Sequence, residues 1–288
     1  MCPWRVVLRR ALVALGYLVF SWRRIPLQVK AKKTAKITWV AHLTYTYDQA
    51  DRATALTING ATDSYSYDAT NELTSDGVAT YSYDATGNRT TVVYQTGVAS
   101  YQTGAGNQMT NDGTFTYTYD ADGNVVKKSK GASAETWTYG YDNRNQMIWA
   151  QDRATDGGTL LSVATYTCDV TGRLIEEDQT VGTTTTVTRH AWDSQDSWAD
   201  LNGSTALLMR YLHGDQVNQL LAQESGSGTV YWYETDRLQS VIGLVNASGA
   251  PQVTVAYDGF GNETSDTNLT LRGPYGYTGA LSASAIGF

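Results

Sequence analysis

Aspartate is the ionisable residue that recurs most regularly in this chain. It closes the phrases Tyr45-Thr-Tyr47-Asp48, Tyr65-Ser-Tyr67-Asp68, Tyr81-Ser-Tyr83-Asp84, Tyr117-Thr-Tyr119-Asp120 and Tyr139-Gly-Tyr141-Asp142. Two close carboxylates can share a proton and work as acid and base. Here one carboxylate recurs in each phrase, which is the pattern of turn capping and not of a single active site. The histidines His42, His190 and His213 share no metal-ligand spacing. Asp120-Ala-Asp122-Gly123-Asn124 is only superficially like a calcium loop. Its glycine falls at position 4 instead of 6, and Gly131 stands where position 12 needs Glu. Cys168 occupies a Tyr place in the degraded phrase Tyr166-Thr-Cys168-Asp169 and reads as a buried small hydrophobe. Cys2 and Cys168 are the only cysteines, which excludes a disulfide scaffold. No nucleophile and base set, phosphate loop or dinucleotide loop emerges. The expectation is a protein that is not an enzyme, with no catalytic, cofactor or metal residues.

The phrases imply the elements that carry them. Two further degraded copies are His190-Ala-Trp192-Asp193 and Val255-Ala-Tyr257-Asp258. Successive aspartates are 20, 16, 36, 22, 27, 24 and 65 residues apart, and the 36 holds two units with the first weakened around Tyr101. A second phrase follows each Asp by three or four residues, as in Gly87-Asn88-Arg89-Thr90, Gly123-Asn124-Val125-Val126, Asn145-Gln146-Met147-Ile148, Gly172-Arg173-Leu174-Ile175 and Gly261-Asn262-Glu263-Thr264. Rings two apart point to one face of a strand. Asp then ends the strand by bonding amides just ahead, and Gly supplies the positive φ of the turn. Each unit is therefore a β-hairpin. A lone hairpin is marginal in water, so the units must stack into a continuous sheet.

Composition agrees. Of 288 residues, 41% are hydrophobic and only 17% are charged, with 20 Tyr, 40 Thr, 27 Gly and 4 Pro. Tyr and Thr favour strands, and the apolar content is too high for a disordered chain. Residues 1–40 hold nine of the 21 Lys and Arg and none of the 28 acids. The rest is strongly acidic, so nucleic acid is not an expected partner. Residues 11–20, ALVALGYLVF, are too few to cross a bilayer as a helix. Residues 1–36 read as a basic apolar segment, either a signal or interfacial anchor or a non-native leader.

The repeat resembles the YD repeat of the RHS (rearrangement hot spot) and teneurin family. Region 210–280 extends the likeness, with Arg210-Tyr211-Leu-His213-Gly214-Asp, Leu221-Ala-Gln-Glu224, Tyr231-Trp-Tyr233, Asp236-Arg-Leu238-Gln-Ser240-Val241, Tyr257-Asp258-Gly-Phe-Gly261-Asn262 and Gly273-Pro-Tyr-Gly-Tyr277-Thr278-Gly279 in order. These resemble the RHS core pattern, with Arg237 and Gln239 standing where the family has His and Gly. The resemblance implies an all-β fold of antiparallel hairpins in a long curved or spiral sheet, part of a β-shell. It implies YD repeats over 37–200 and a core-like region over 201–288 that stops early. Bacterial relatives enclose a C-terminal toxin and release it with an aspartyl self-cleaving element. The segment that would carry that element lies beyond Phe288, so no catalytic residue is carried over. The resemblance implies a non-enzymatic structural role, secreted or in the cell envelope. The alternative is an adhesive or glycan-binding module using exposed repeat aromatics. The chain is expected to form only part of a wall. Its last strand is expected to leave an edge open near Gly279, through which copies associate.

Overall fold

The hairpin turn of most units is set by one side chain. The strand Ala79–Tyr83 ends in a bulge at Tyr83, and the chain returns as Arg89–Tyr94 with Tyr81 opposite Val92. Asp84 Oδ1 accepts the amides of Thr86 and Asn88 at 2.8 and 3.0 Å, and the Asp84 amide donates to the Asn88 carbonyl at 2.9 Å. The same pair of side-chain bonds forms at Asp48, Asp68, Asp120, Asp142, Asp169, Asp236 and Asp258. Three residues past the Asp the backbone is left-handed, at φ +84° for Gly87 and +86° for Gly261. Asn71 and Asn145 fill this place elsewhere, and Gln239 fills it at φ +68°.

A side chain in that region costs about 1 kcal/mol against glycine. Gln239 gains little in return, a 3.4 Å bond to Gln216. Gln239→Gly is therefore expected to stabilise the chain by about 0.5–1 kcal/mol, the greater freedom of unfolded Gly offsetting the rest. Denaturant midpoints at unchanged slope would read this, and a variant no more stable than the parent would contradict it.

The structure is a computed structural model that describes residues 42–281. The segment 1–36 therefore lies outside the described residues. The described chain is all-β, and within each of its three sheets every strand pairs antiparallel with its neighbours in sequence. A three-stranded sheet covers Leu43–Tyr47, Ala53–Ile58 and Ala61–Ser64. A five-stranded sheet runs from Ser66–Tyr67 to Gly97–Ser100, and a sixteen-stranded sheet from Gln102–Thr103 to Glu263–Asp266. The breaks fall at Tyr65 and Tyr101. At each break the backbone amide is still tied to the preceding sheet, Tyr65 to the Thr54 carbonyl at 2.9 Å and Tyr101 to the Thr90 carbonyl at 2.8 Å. The strand Asp196–Asn202 crosses residue 200 within the long sheet.

The interval between Asp193 and Asp258 is filled by turns of the same kind, two of them built on asparagine. Asn202 Oδ1 accepts from Ser204 and Ala206, and Asn246 Oδ1 from Ser248 and Ala250. In the weakened unit Gly104 stands in the Asp place, and only its amide closes the turn, on the Gln108 carbonyl at 2.8 Å.

The end of the described chain differs from expectation. After Glu263–Asp266 comes one helical turn, Leu269–Arg272, and the chain then folds back onto the sheet. The Val241 amide donates to the Gly276 carbonyl at 3.0 Å, and the Thr278 amide to Ser240 Oγ at 3.1 Å. Tyr275 enters the main core beside Tyr211, Leu220, Tyr233, Val241, Leu244, Val253 and Val255. Gly279 is buried in this fold-back. At this end of the long sheet the edge is instead the four-residue strand Glu263–Asp266, which is short and carries two carboxylates, features that discourage edge pairing.

Candidate functional site

The two rings of each phrase have separate tasks. The first is the more deeply set, and Tyr81, Tyr139, Tyr166, Tyr211 and Tyr233 are buried. Several of the first-ring hydroxyls donate to a carboxylate in the turn that leads into their own strand, or in a neighbouring strand. Tyr81 reaches Asp76 at 2.5 Å, Tyr117 reaches Asp112 at 2.6 Å and Tyr211 reaches Asp200 at 2.6 Å. Tyr233 donates to Gln223. Burial pushes these hydroxyls up, and pushes Tyr65 to about 12, so the rings stay neutral donors.

The second ring sits at the bulge and reaches back to the preceding hairpin. Tyr67 donates to the Ala53 carbonyl (3.0 Å), Tyr83 to Leu73 (2.6 Å), Tyr119 to Met109 (2.6 Å), Tyr141 to Val125 (2.9 Å) and Tyr257 to Val241 (3.0 Å). Trp192 and His213 do the same with ring nitrogens, to Leu174 and Ser197. In the tyrosine cases the acceptor lies five residues beyond the turn residue of the earlier unit. Tyr47, in the first described hairpin, makes no such bond among the described residues and is half-exposed. Cys168 stands at a second-ring place. It is half-buried, not buried as expected, because the bulge turns this position toward the rim.

The turn tips form that rim, and several tips bond directly to the next. Arg52 donates to Asn71 Oδ1 at 2.9 Å, Asn88 to Asn107 at 2.8 Å, Asn124 to Asn145 at 3.0 Å and Arg173 to the Ser194 carbonyl at 2.7 Å. Within a tip, Asn262 Nδ2 also ties to Asp258 Oδ2 at 2.7 Å. The Thr86 hydroxyl and the amide and side chain of Asn88 hold the Asp84 carboxyl well below the usual range, and the side chain and amide of Asn124 lower the Asp120 carboxyl beside Gly123.

The core-like residues come together around the fold-back. Asn218, in the turn that begins at Gly214, donates to the Thr278 carbonyl at 3.0 Å. The Leu238 and Ser240 amides cap on Asp236, while Ser240 and Val241 hold the returning chain. Tyr277 packs against Tyr257 with centroids 5.5 Å apart. Arg210 lies on the Trp198 ring at 5.7 Å and 3.6 Å from Glu224.

One cluster escaped the sequence reading. His190 Nδ1 lies 2.7 Å from Asp200 Oδ1, and Tyr211 donates to the other oxygen. His213 sits nearby with its ring 6.0 Å from Tyr275, so two histidines far apart in sequence share one region of the core. Strand pairing puts His190 opposite Asp200, a match that spacing along the chain does not reveal. Among the described residues no group of three or more His, Cys, Asp or Glu is placed to hold a metal ion. The carboxylate already takes two donors, so its chemistry here is cohesion.

A family model described as Teneurin YD-shell matches residues 75–287. No curated protein matches the chain. Among solved structures the chain is similar to TcdB2-TccC3 without its hypervariable C-terminal region, at 12% identity and TM-score 0.39, over 84% of this chain and 19% of that one. It is similar to TcdB2-TccC3-TEV at 12% identity and TM-score 0.46, over 85% and 15%. It is also similar to the Photorhabdus luminescens Tc holotoxin pore at 12% identity and TM-score 0.39, over 84% and 19%. The chain thus spans less than a fifth of the length of these three proteins.

Proposed function

The chain belongs to the Teneurin YD-shell family, and from that premise we propose that it is a non-enzymatic section of shell wall that encloses a polypeptide segment, a toxin domain in a bacterial setting. Its role is structural. The observation that carries the reading is the use made of the repeat side chains. First rings fill the core, second rings tie hairpin to hairpin, and turn residues tie tip to tip. That leaves the repeat chemistry committed to cohesion. It also weakens the glycan alternative, which needs rows of free aromatic faces. The fold-back and the late tips are what the core-like region, 201–288, adds to the repeats of 37–200. Secretion or residence in the cell envelope fits this role. No helix among the described residues is long and apolar enough to cross a membrane.

The test is a protease-sensitive reporter peptide appended after Phe288. Enclosure predicts that the reporter survives a protease dose that destroys the free peptide, and that it becomes sensitive once the wall is unfolded in urea. Equal sensitivity before and after unfolding would refute enclosure.

A further inference from the structure

The wall curls back on itself, and the tips of two late hairpins press on the first hairpins. Between strands Pro251–Tyr257 and Glu263–Asp266, the Gly259 amide donates to Asp76 Oδ2 at 2.7 Å, a partner 183 residues away. Asp76 is 2% exposed, and its other oxygen takes the Val78 and Ala79 amides at 2.9 and 2.8 Å. The neighbouring Phe260 ring meets Tyr81 edge-on at 4.8 Å. It also lies 4.3 Å from the Arg89 guanidinium, which is equally close to the Tyr101 ring. Arg89 Nε and Nη1 are buried without a hydrogen-bond partner, so aromatic faces are what hold that cation. Position 259 must be small. A Cβ there would stand 2.4 Å from Leu73 Cδ2 and 3.2 Å from Asp76 Cβ. One hairpin earlier, Arg237 lies over Tyr45 at 5.3 Å and Tyr47 at 5.9 Å. Within the expected part of a wall, these contacts bring late turn tips onto the first hairpins.

We propose that the tip Asp258–Asn262 is a latch that docks on the surface made by Asp76, Tyr81, Arg89 and Tyr101, and that its release parts this stretch of the seam while every hairpin stays folded. The contrast in bonding supports this. Neighbouring strands share whole ladders of backbone bonds. At Asp258–Asn262 the seam rests on one amide-to-carboxylate bond and one inserted ring, and Phe260 remains 41% exposed. A seam this small is the first to open, because the free energy of a local opening rises with the apolar surface and the hydrogen bonds it exposes to water. The latch concerns the wall alone and stands whether or not the wall encloses a segment.

Spin-label distances in the full chain test it, with Cys2 and Cys168 replaced by serine. One label pair spans the seam at the exposed positions Val98 and Leu269, and a control pair sits within the long sheet at Val170 and Val217. Phe260→Ala removes the ring, and Gly259→Val drives a side chain into Leu73. Both are expected to shift the Val98–Leu269 distribution to longer distances, with the Val170–Val217 distribution and the far-UV β signal unchanged. A seam distribution that stays at the parent distance in both variants overturns the latch. So does simultaneous broadening of both pairs, because opening would then not be separable from unfolding.

Discussion

Arg272→Met is expected to be among the most damaging single changes in this chain, lowering stability by about 3–5 kcal/mol. Arg272 is 2% exposed. Its Nε donates to Asp266 at 2.7 Å, its Nη2 to Glu263 at 2.6 Å and its Nη1 to the Tyr275 carbonyl. Methionine fills similar volume but leaves Asp266, itself nearly buried, without its cation. An unpaired buried charge costs far more than the pair contributes, because desolvation is then uncompensated. The damage extends beyond the ion pair. The same guanidinium fixes the chain where Tyr275 enters the core against Tyr211 and Tyr233. Urea unfolding followed by circular dichroism gives the loss. A second variant separates charge from packing. Arg272→Met with Glu263→Gln and Asp266→Asn removes the orphaned carboxylates and should recover a substantial part of the stability. A single variant within about 1 kcal/mol of the parent would show that water already reaches this site.

What could be read from the sequence was whatever a single hairpin decides for itself. The Asp turn involves residues at most four apart, so Asp84 and Asn88 already contain it, and the period of the phrases reports the strand order. The second-ring bonds were not legible, because the partner of Tyr83 is a carbonyl of the previous unit and any residue has a carbonyl. The same holds for Asp76 and Asp112. They look like ordinary turn residues, yet each also takes the hydroxyl of a first ring. Asn202 and Asn246 were missed because the amide oxygen caps as the carboxylate does, so a search for Asp alone loses the repeat. The fold-back after Gly273 was not legible for a different reason. The sequence there lacks strand alternation, and its fate is fixed by Arg272 and Tyr275 meeting partners from distant strands. The seam is the furthest from legibility, since only curvature summed over many strands brings Gly259 to Asp76.

The buried cluster at Asp200 makes a sharper test, because two conservative changes should behave differently. Asp200→Ala removes the acceptor of both His190 Nδ1 and the Tyr211 hydroxyl, all within the core. Each stranded donor costs about 1–3 kcal/mol, so the expected loss is about 2–6 kcal/mol. Asp200→Asn keeps an oxygen for His190 and presents an amide to Tyr211. A phenolic oxygen can accept as well as donate, so this variant should lose far less. Adding Tyr211→Phe to Asp200→Ala should restore some stability despite deleting a further polar atom, since it removes one of the two stranded groups. The restoration would be measured as the coupling in a double-mutant cycle by urea unfolding. Losses that simply add would mean that Asp200 and Tyr211 act independently. Equal losses for Asn and Ala would mean that the negative charge itself, and not its capacity to accept, is what the core requires from Asp200.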